Sequence, residues 1–212
     1  MSDIKIGRMV LGIYSTNCYF LYRDTEGDKE AIVFDAPDQG AQIVAALKKH
    51  GIRVAALMLT HGHFDHILGA SELRSASSAK IYALDKEQPV LEDSTINMSA
   101  QMRRPATVKV NKYLADGEEI EIAGITLKVI ATPGHTVGSC CYYCKEANMC
   151  ISGDTVFYES VGRSDFPTGD GAELERSATE KLFLLPDDTK VYPGHGEDTT
   201  IGHEKKYNPF LV

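Results

Sequence analysis

An uninterrupted apolar run at residues 54–59, Val-Ala-Ala-Leu-Met-Leu, is the feature that most limits how this chain can fold. A strand without a polar face must be covered on both sides, as in the interior of a layered α/β domain. Polar residues follow the run at once, in the order Thr-His-Gly-His-Phe-Asp-His at residues 60–66. The chain therefore places several side chains of metal-binding type at the end of a buried strand.

Further strand-like and helix-like segments follow each other in two halves. Strands are predicted at residues 4–10, 18–22, 31–35, 54–59, 118–122, 125–131, 139–143, 149–152 and 191–192. Helices are predicted at about residues 38–51, 65–75 and 174–185. Asp170 caps the last helix and Pro186 ends it, whereas residues 85–105 are partly helical but interrupted by Pro89. This order predicts an α/β fold with helices packed outside two sheets.

Composition and charge limit the classes of function that this chain can have. With 43% hydrophobic and 25% charged residues in 212, the chain is typical of a globular protein, and we expect one domain over residues 1–212. A formal net charge of −8 argues against a nucleic-acid partner. No apolar run approaches the ~20 residues of a membrane-spanning helix. The N-terminus lacks the pattern of a secretory signal, so we expect a cytoplasmic protein without a membrane partner.

Five cysteines form an odd number in a chain without an export signal, which favours reduced thiols over disulfides. They are Cys18, Cys140, Cys141, Cys144 and Cys150. The two-residue gap between Cys141 and Cys144 is also found in zinc knuckles. Neighbouring side chains of a strand alternate between its faces, however, so we expect these two thiols to diverge. We interpret the cysteines as buried structural residues.

The segment at residues 60–66 carries four candidate metal ligands. His61 and His63 lie two residues apart in a short turn, so both imidazoles can reach one ion. Asp65 and His66 lie at the start of the predicted helix and are displaced toward a second ion. Neutral imidazole and carboxylate suit Zn²⁺, Fe²⁺ and Mn²⁺.

Three more candidates follow glycine at predicted strand ends: His135, Asp154 and His195. Glycine permits the tight turn that brings such a side chain over the edge of a sheet. Five of the seven histidines fall in these segments, which favours a metal site over isolated turn residues. The other two, His50 and His203, receive no role.

The order of these motifs resembles the metallo-β-lactamase superfamily over nearly the whole chain. The resemblance implies a four-layer αβ/βα sandwich of two mixed β-sheets with helices outside and the metals at one edge. It implies a first ion bound by His61, His63 and His135 and a second bound by Asp65, His66 and His195. Asp154 would bridge both ions.

The same resemblance places Asn17 near the site and makes Asp35 a hydrogen-bonding support for the turn of His61 and His63. In this chain Asp35 is followed by Ala-Pro-Asp, where relatives often have Pro-Gly. Tyr14 and Ser15 precede Asn17 on a loop that could overhang the metals.

Two further segments resemble the short, glyoxalase II-like hydrolases of the superfamily, which are hydroxyacylglutathione hydrolase-like proteins. They are Gly-Arg-Ser-Asp-Phe-Pro at residues 162–167 and Tyr-Asn-Pro-Phe at residues 207–210. The resemblance implies hydrolysis of a small thioester, possibly glutathione-linked, such as S-lactoylglutathione. A hydroxide bridging two divalent ions would attack the thioester, and Asp65 would orient it and handle its proton. We expect Zn²⁺, with Fe²⁺ or Mn²⁺ as alternatives.

Full-length glyoxalase II enzymes also carry a helical C-terminal domain that contributes to glutathione binding. Because the chain ends shortly after His195, we expect that domain to be absent. Lys205, Lys206 and Tyr207 are then candidates for contacting a substrate carboxylate. Arg163 and Asp165 are candidates for an ion pair beside the metals or for a substrate contact.

Persulfide dioxygenases are the alternative, because they share the fold and the same seven residues. Their resemblance implies a single iron on the equivalents of His61, His135 and Asp154. The ligand set does not separate the two activities, whereas the loop at residues 162–167 favours the hydrolase. Secreted β-lactamases would need a signal peptide, the flavin-linked branch has Glu where this chain has His63, and nucleases fit the negative charge poorly.

Overall fold

Two six-stranded sheets lie face to face in a computed structural model, which describes residues 3–27 and 29–212. The strands of the first sheet are adjacent in chain order: β1 (Ile4–Leu11), β2 (Thr16–Arg23), β3 (Lys29–Phe34), β4 (Ile52–Met58), β5 (Lys80–Leu84) and β6 (Lys112–Leu114). The first three strands pair antiparallel and β3 to β6 pair parallel. The sheet is therefore mixed, as expected.

The second sheet is mixed as well. Its strands are β7 (Glu119–Ile122), β8 (Ile125–Ala131), β9 (Cys140–Cys144), β10 (Met149–Gly153), β13 (Lys190–Pro193) and β14 (Thr199–Thr200). Between β10 and β13 the chain forms a separate two-stranded ribbon of β11 (Val156–Phe157) and β12 (Ser160–Val161). The order of the strands across the second sheet is β14-β13-β10-β9-β8-β7. Only the pairing of β10 with β13 is parallel among these described strands.

Helices cover the outer faces of both sheets. They are α1 (Gly40–Lys49), α2 (Phe64–Ile67), α3 (Ala70–Ser77), α4 (Gln88–Leu91), α5 (Gly171–Glu180) and α6 (Ile201–Tyr207), with 3₁₀ helices at Asp85–Glu87 and Leu182–Leu184. Helices α1 and α3 pack on the first sheet, and α5 and α6 pack on the second. The four-layer αβ/βα sandwich is thereby confirmed. Within residues 3–27 and 29–212, no helix combines the length and apolar character needed to cross a membrane.

The apolar core has three parts, one between each pair of adjacent layers. Strand β4 contributes to two of them, because Val54 and Leu57 face α1 and α3 while Met58 faces the second sheet. In the central part, Phe34 of the first sheet packs on Tyr142 of the second, with ring centroids 5.6 Å apart. The prediction of a strand covered on both faces is therefore confirmed.

The single helix predicted at residues 65–75 is wrong, because α2 and α3 are separate helices that meet near Gly69. At that point the backbone of α1 approaches very closely: a Cβ added to Gly40 would lie 1.9 Å from the Gly69 carbonyl oxygen. Such a contact between two backbones leaves no trace in helical periodicity.

The predicted helix at residues 174–185 is shorter than expected, since α5 ends at Glu180 and a 3₁₀ helix precedes Pro186. Its cap is confirmed, because the Asp170 carboxylate accepts hydrogen bonds from the backbone N–H groups of Ala172 and Glu173. Pro89 does not interrupt a helix; it lies in the first turn of α4, where no N–H donor is needed. Strands β5, β6 and β14, the ribbon and α6 were not predicted.

Candidate metal centre

The candidate ligands meet at one edge of the two sheets. The segment at residues 60–66 leaves β4, and three further strands, β8, β10 and β13, end just before His135, Asp154 and His195. These strand ends lie side by side because β8, β9, β10 and β13 are consecutive in the second sheet. The structure thus brings together all seven residues of the predicted set, although the set spans most of the chain.

Three histidines form the first group. The Nε2 atom of His135 lies 2.8 Å from His63 Nδ1 and 3.2 Å from His61 Nε2. Three ring nitrogens within such distances can all bind one ion.

Asp65, His66 and His195 form the second group. The Oδ2 atom of Asp65 lies 3.3 Å from His195 Nε2 and 3.8 Å from His66 Nε2. A third close group of His61, His66 and Asp154 joins the first two.

The carboxylate of Asp154 lies between the two groups. Its Oδ2 atom is 3.5 Å from both His135 Nε2 and His195 Nε2, and its Oδ1 atom is 3.4 Å from His66 Nε2. A residue in this position can contribute an oxygen to an ion in either group.

Burial makes the first group neutral. Burial lowers the pKa of His61 and His135 below the ordinary value of histidine, and it lowers the pKa of His63 to about 3. At His61 the neighbouring imidazoles lower the pKa further. Neutral imidazole carries the free lone pair that a metal ligand needs.

The second group holds opposite charges. Burial opposes ionisation of Asp154 and Asp65, but the facing imidazoles, His66 above all, lower the pKa of both carboxyls. Burial also opposes a charge on His66, yet Asp154, Asp35 and Asp65 raise the pKa of His66 well above its ordinary value. The carboxylates thus stabilise positive charge at this point.

Two buried polar atoms aimed into the cluster fit a metal. His66 Nε2 and Asp154 Oδ1 are inaccessible to water and have no hydrogen-bond partner within the described chain. Buried polar groups without a partner are rare in proteins because they are costly. A cation would give both atoms a partner, so the residues present fit metal binding.

Asp35 holds two parts of the ligand segment. Its carboxylate accepts hydrogen bonds from Thr60 N and Oγ1, both at 2.8 Å, and from His66 Nδ1 at 2.7 Å. Because Nδ1 of His66 donates to Asp35, its Nε2 atom faces the cluster. Asp35 has a left-handed backbone (φ 57°).

Backbone carbonyls and Asn17 position the candidate ligands His135 and His195. His135 Nδ1 is 2.6 Å from the carbonyl oxygen of Arg163, which directs Nε2 toward the cluster. The Asn17 side chain donates to the carbonyls of Pro193 at 2.9 Å and Gly196 at 3.0 Å and so holds the turn that carries His195. The sequence placed Asn17 near the site without showing this contact.

A cavity of about 480 Å³ opens on the cluster. Ligand candidates form its floor, and most of its other lining residues are apolar: Tyr14, Phe64, Met98, Met102, Phe157, Val161 and Phe166. Arg163 also lines it, but its guanidinium pairs with Asp165 at 2.7 Å and 2.9 Å and stacks on Phe166. The predicted ion pair is therefore present, while a contact between Arg163 and substrate stays a prediction.

Other candidate residues lie elsewhere. Lys205 pairs with Asp187, Lys206 lies over the Tyr207 ring, and none of these lines the cavity. His203 contacts Glu159 at 3.0 Å.

The five cysteines are free and buried. Cys144 faces the space between the sheets and Cys141 faces the opposite side of its strand, so their predicted divergence is confirmed.

Sequence reasoning missed Met98 and Met102, which line the cavity, and Glu87, which lies behind the histidines. All three belong to residues 85–105, where no periodic pattern could be recognised.

Known proteins are similar to this chain in sequence. The sequence model described as "Metallo-beta-lactamase superfamily" matches residues 11–195. The chain is 37% identical over 210 residues to the probable metallo-hydrolase YqgX of Bacillus subtilis, covering 98% of each chain. It is 30% identical over 204 residues to the hydroxyacylglutathione hydrolase GloC of Haemophilus influenzae, covering 93% of each.

Solved structures of similar proteins have the same fold. The chain superimposes on BLEG-1, a B3 metallo-β-lactamase, with a TM-score of 0.92 and 36% identity, covering 98% of this chain and 100% of that one. It superimposes on the di-iron-bound form of TTHA1623 with a TM-score of 0.83 and 31% identity, covering 97% and 100%. The chain therefore belongs to the metallo-β-lactamase superfamily.

Proposed function

We propose that this protein is a metal-dependent hydrolase of small thioesters such as S-lactoylglutathione. The observation that carries the proposal is the convergence of five histidines and two aspartates, five of which line the floor of a cavity. The similarity to GloC, whose name states hydroxyacylglutathione hydrolysis, supports the substrate class.

The ligand roles we propose follow the three close groups. His61, His63 and His135 hold a first divalent ion, and Asp65, His66 and His195 hold a second. Asp154 contributes to both, because its two oxygens face different histidines. We propose Zn²⁺, which accepts this donor set, while Fe²⁺ and Mn²⁺ accept it as well.

When bound, two divalent ions would lower the pKa of a water to near 7 and would polarise the thioester carbonyl. The chain must then orient the attacking water and receive its proton. Asp65 is suited to both tasks, since its carboxylate reaches the cavity and is held by Thr16 Oγ1 at 3.2 Å and by His195. The leaving thiolate, with an ordinary pKa of about 8.5, needs little help from an acid.

The cavity wall indicates how a thioester would lie. Its apolar residues suit an uncharged group next to the reacting carbonyl, and the charge of Arg163 is already balanced by Asp165. We propose that the charged ends of a glutathione-like carrier stay outside this wall.

Two other candidate activities would use the same group of residues. Similarity to BLEG-1 favours β-lactam hydrolysis as a second candidate. Persulfide oxidation at a single iron, held by His61, His135 and Asp154, is the third, and the di-iron form of TTHA1623 supports iron as a metal for this chain.

A parallel assay separates the three activities. Protein purified without added metal is tested for loss of S-lactoylglutathione, for β-lactam ring opening, and for oxygen uptake with glutathione persulfide. We expect thioester loss that a chelator abolishes and Zn²⁺ restores. Oxygen uptake without loss of the thioester would contradict the proposal. Faster turnover of the β-lactam than of the thioester would also contradict it and would favour β-lactam hydrolysis.

A further inference from the structure

Glu87 is a buried carboxylate outside the proposed ligand set. It ends the 3₁₀ helix that follows β5, and it is 1% exposed. Burial raises the pKa of Glu87, whereas three hydrogen bonds, from Gly62 N, Thr136 Oγ1 and Gly138 N, stabilise the ionised form and lower it. A carboxylate in such a place is costly unless hydrogen bonds satisfy it.

The two oxygens of Glu87 bind two different turns. Oε1 accepts a hydrogen bond from Gly62 N at 2.6 Å, while Oε2 accepts from Thr136 Oγ1 at 2.9 Å and Gly138 N at 2.8 Å. Gly62 lies between His61 and His63, and Thr136 follows His135. One side chain therefore connects the two turns that carry the three histidines of the first group.

The glycines of these turns are needed for the approach. A Cβ on Gly138 would lie 2.1 Å from the backbone nitrogen of Glu87. A Cβ on Gly62 would lie 2.9 Å from Val90 Cγ1 and 3.1 Å from Glu87 Oε1. Both turns are thus packed directly against the Glu87 segment.

The second group has supports that do not involve Glu87, although one of them, Asp35, also holds Thr60 beside His61. Asp35 binds His66 directly, and Asn17 holds the turn of His195. No residue next to His66 or His195 in the chain donates a hydrogen bond to the Glu87 carboxylate.

We propose that Glu87 is a positioning residue that sets the spacing of His61, His63 and His135, and hence the affinity of that group for its ion. The inference rests on the proposed ligand roles. Because the hydrogen bonds of Glu87 reach only the turns of the first group, its loss should weaken the binding of one ion selectively.

The carboxylate cannot be replaced by an amide without loss. In Glu87→Gln, the amide nitrogen must face a backbone N–H, either that of Gly62 or that of Gly138. One buried donor then loses its acceptor. Changes to groups that orient metal ligands typically weaken metal binding about 10- to 100-fold.

The test measures Zn²⁺ dissociation constants, by competition with a chromophoric chelator, in two parent proteins that each retain one group. His195→Ala retains the three histidines, and His63→Ala retains the second group. We expect Glu87→Gln to weaken binding about 10- to 100-fold in the first parent and to leave the second parent unchanged. Glu92→Gln, the same change at an exposed position nearby, should alter neither.

Equal weakening in both parents, or no weakening in the first, would overturn the inference. If the Glu87→Gln chain does not fold, Thr136→Val decides, because it removes one hydrogen bond to Glu87 and should weaken only the first parent. A His195→Ala parent that binds no Zn²⁺ would overturn the proposed ligand set itself.

Discussion

Gly194 lies against the carboxylate of Asp154 so closely that a Cβ at position 194 would be 2.2 Å from Asp154 Oδ1. The same Cβ would be 2.7 Å from His66 Cε1. Gly194→Ala must therefore displace Asp154 or the turn of His195. We expect this variant to fold but to bind fewer than two Zn²⁺ ions, as measured by elemental analysis.

Gly196→Ala is the matched control for that substitution. It lies in the same turn and has left-handed backbone (φ 76°), but its Cβ would meet nothing within 4 Å. It should lose about 1 kcal/mol of stability from backbone strain and keep its metal. Equal metal loss in both variants would mean that the turn, rather than contact with Asp154, governs binding.

Asp154→Ala should remove the carboxylate that faces both ligand groups. Since groups that only orient ligands contribute about 10- to 100-fold to affinity, loss of a shared ligand should lower kcat/KM by more than about 100-fold. Metal content and thioester hydrolysis are measured on the same preparation. A variant that kept both its metal and its rate would disprove the bridging role.

The wall residue Met102 should affect substrate preference more than catalysis. Met102→Ala removes apolar surface from the cavity and should lower kcat/KM by about 5-fold for a thioester with an aliphatic acyl chain, corresponding to about 1 kcal/mol. The acetyl thioester should be affected less. Met9→Ala, distant from the cavity, serves as control, and equal losses for both acyl chains would contradict the proposed position of the substrate.

An ion pair between Asp38 and Arg104 anchors the segment that carries Met102. The Arg104 nitrogens lie 2.8 Å and 3.0 Å from the Asp38 oxygens, and their hydrogen bonds lower the pKa of Asp38 from 3.8. Because this pKa is lower in the folded protein, the pair stabilises the fold above pH 3.8 and is lost as pH falls through the folded-state value.

Asp38→Asn should therefore reduce the free energy of unfolding at pH 7 by about 0.2–1 kcal/mol, since Arg104 is half exposed. In urea unfolding, the difference from the wild type should shrink toward pH 3. Glu26→Gln, at an exposed position, should show no such difference. A gap between wild type and Asp38→Asn that stays constant down to pH 3 would contradict this account.

The α/β class and the seven clustered residues could be predicted because both leave local signals, whereas the four-layer arrangement came from the resemblance to a known superfamily. Strand β4 is apolar throughout, and the histidines beside it occupy one short segment. Each later member follows a glycine at a strand end. The metal roles of these residues are predictions.

What the sequence did not reveal depends on contacts between distant segments. The division between α2 and α3 follows from the packing of Gly69 on Gly40, which no periodicity records. Glu87 could not be recognised because an acidic residue in an irregular segment is normally exposed. Its role becomes visible only when the turns of Gly62 and Gly138 meet around it.

Anomalous scattering at the zinc absorption edge, from crystals grown with Zn²⁺, tests the central claim most directly. The account predicts two peaks per chain, one among His61, His63 and His135 and one among Asp65, His66 and His195, with Asp154 in contact with both. A single peak, or peaks that lie away from these residues, would contradict it.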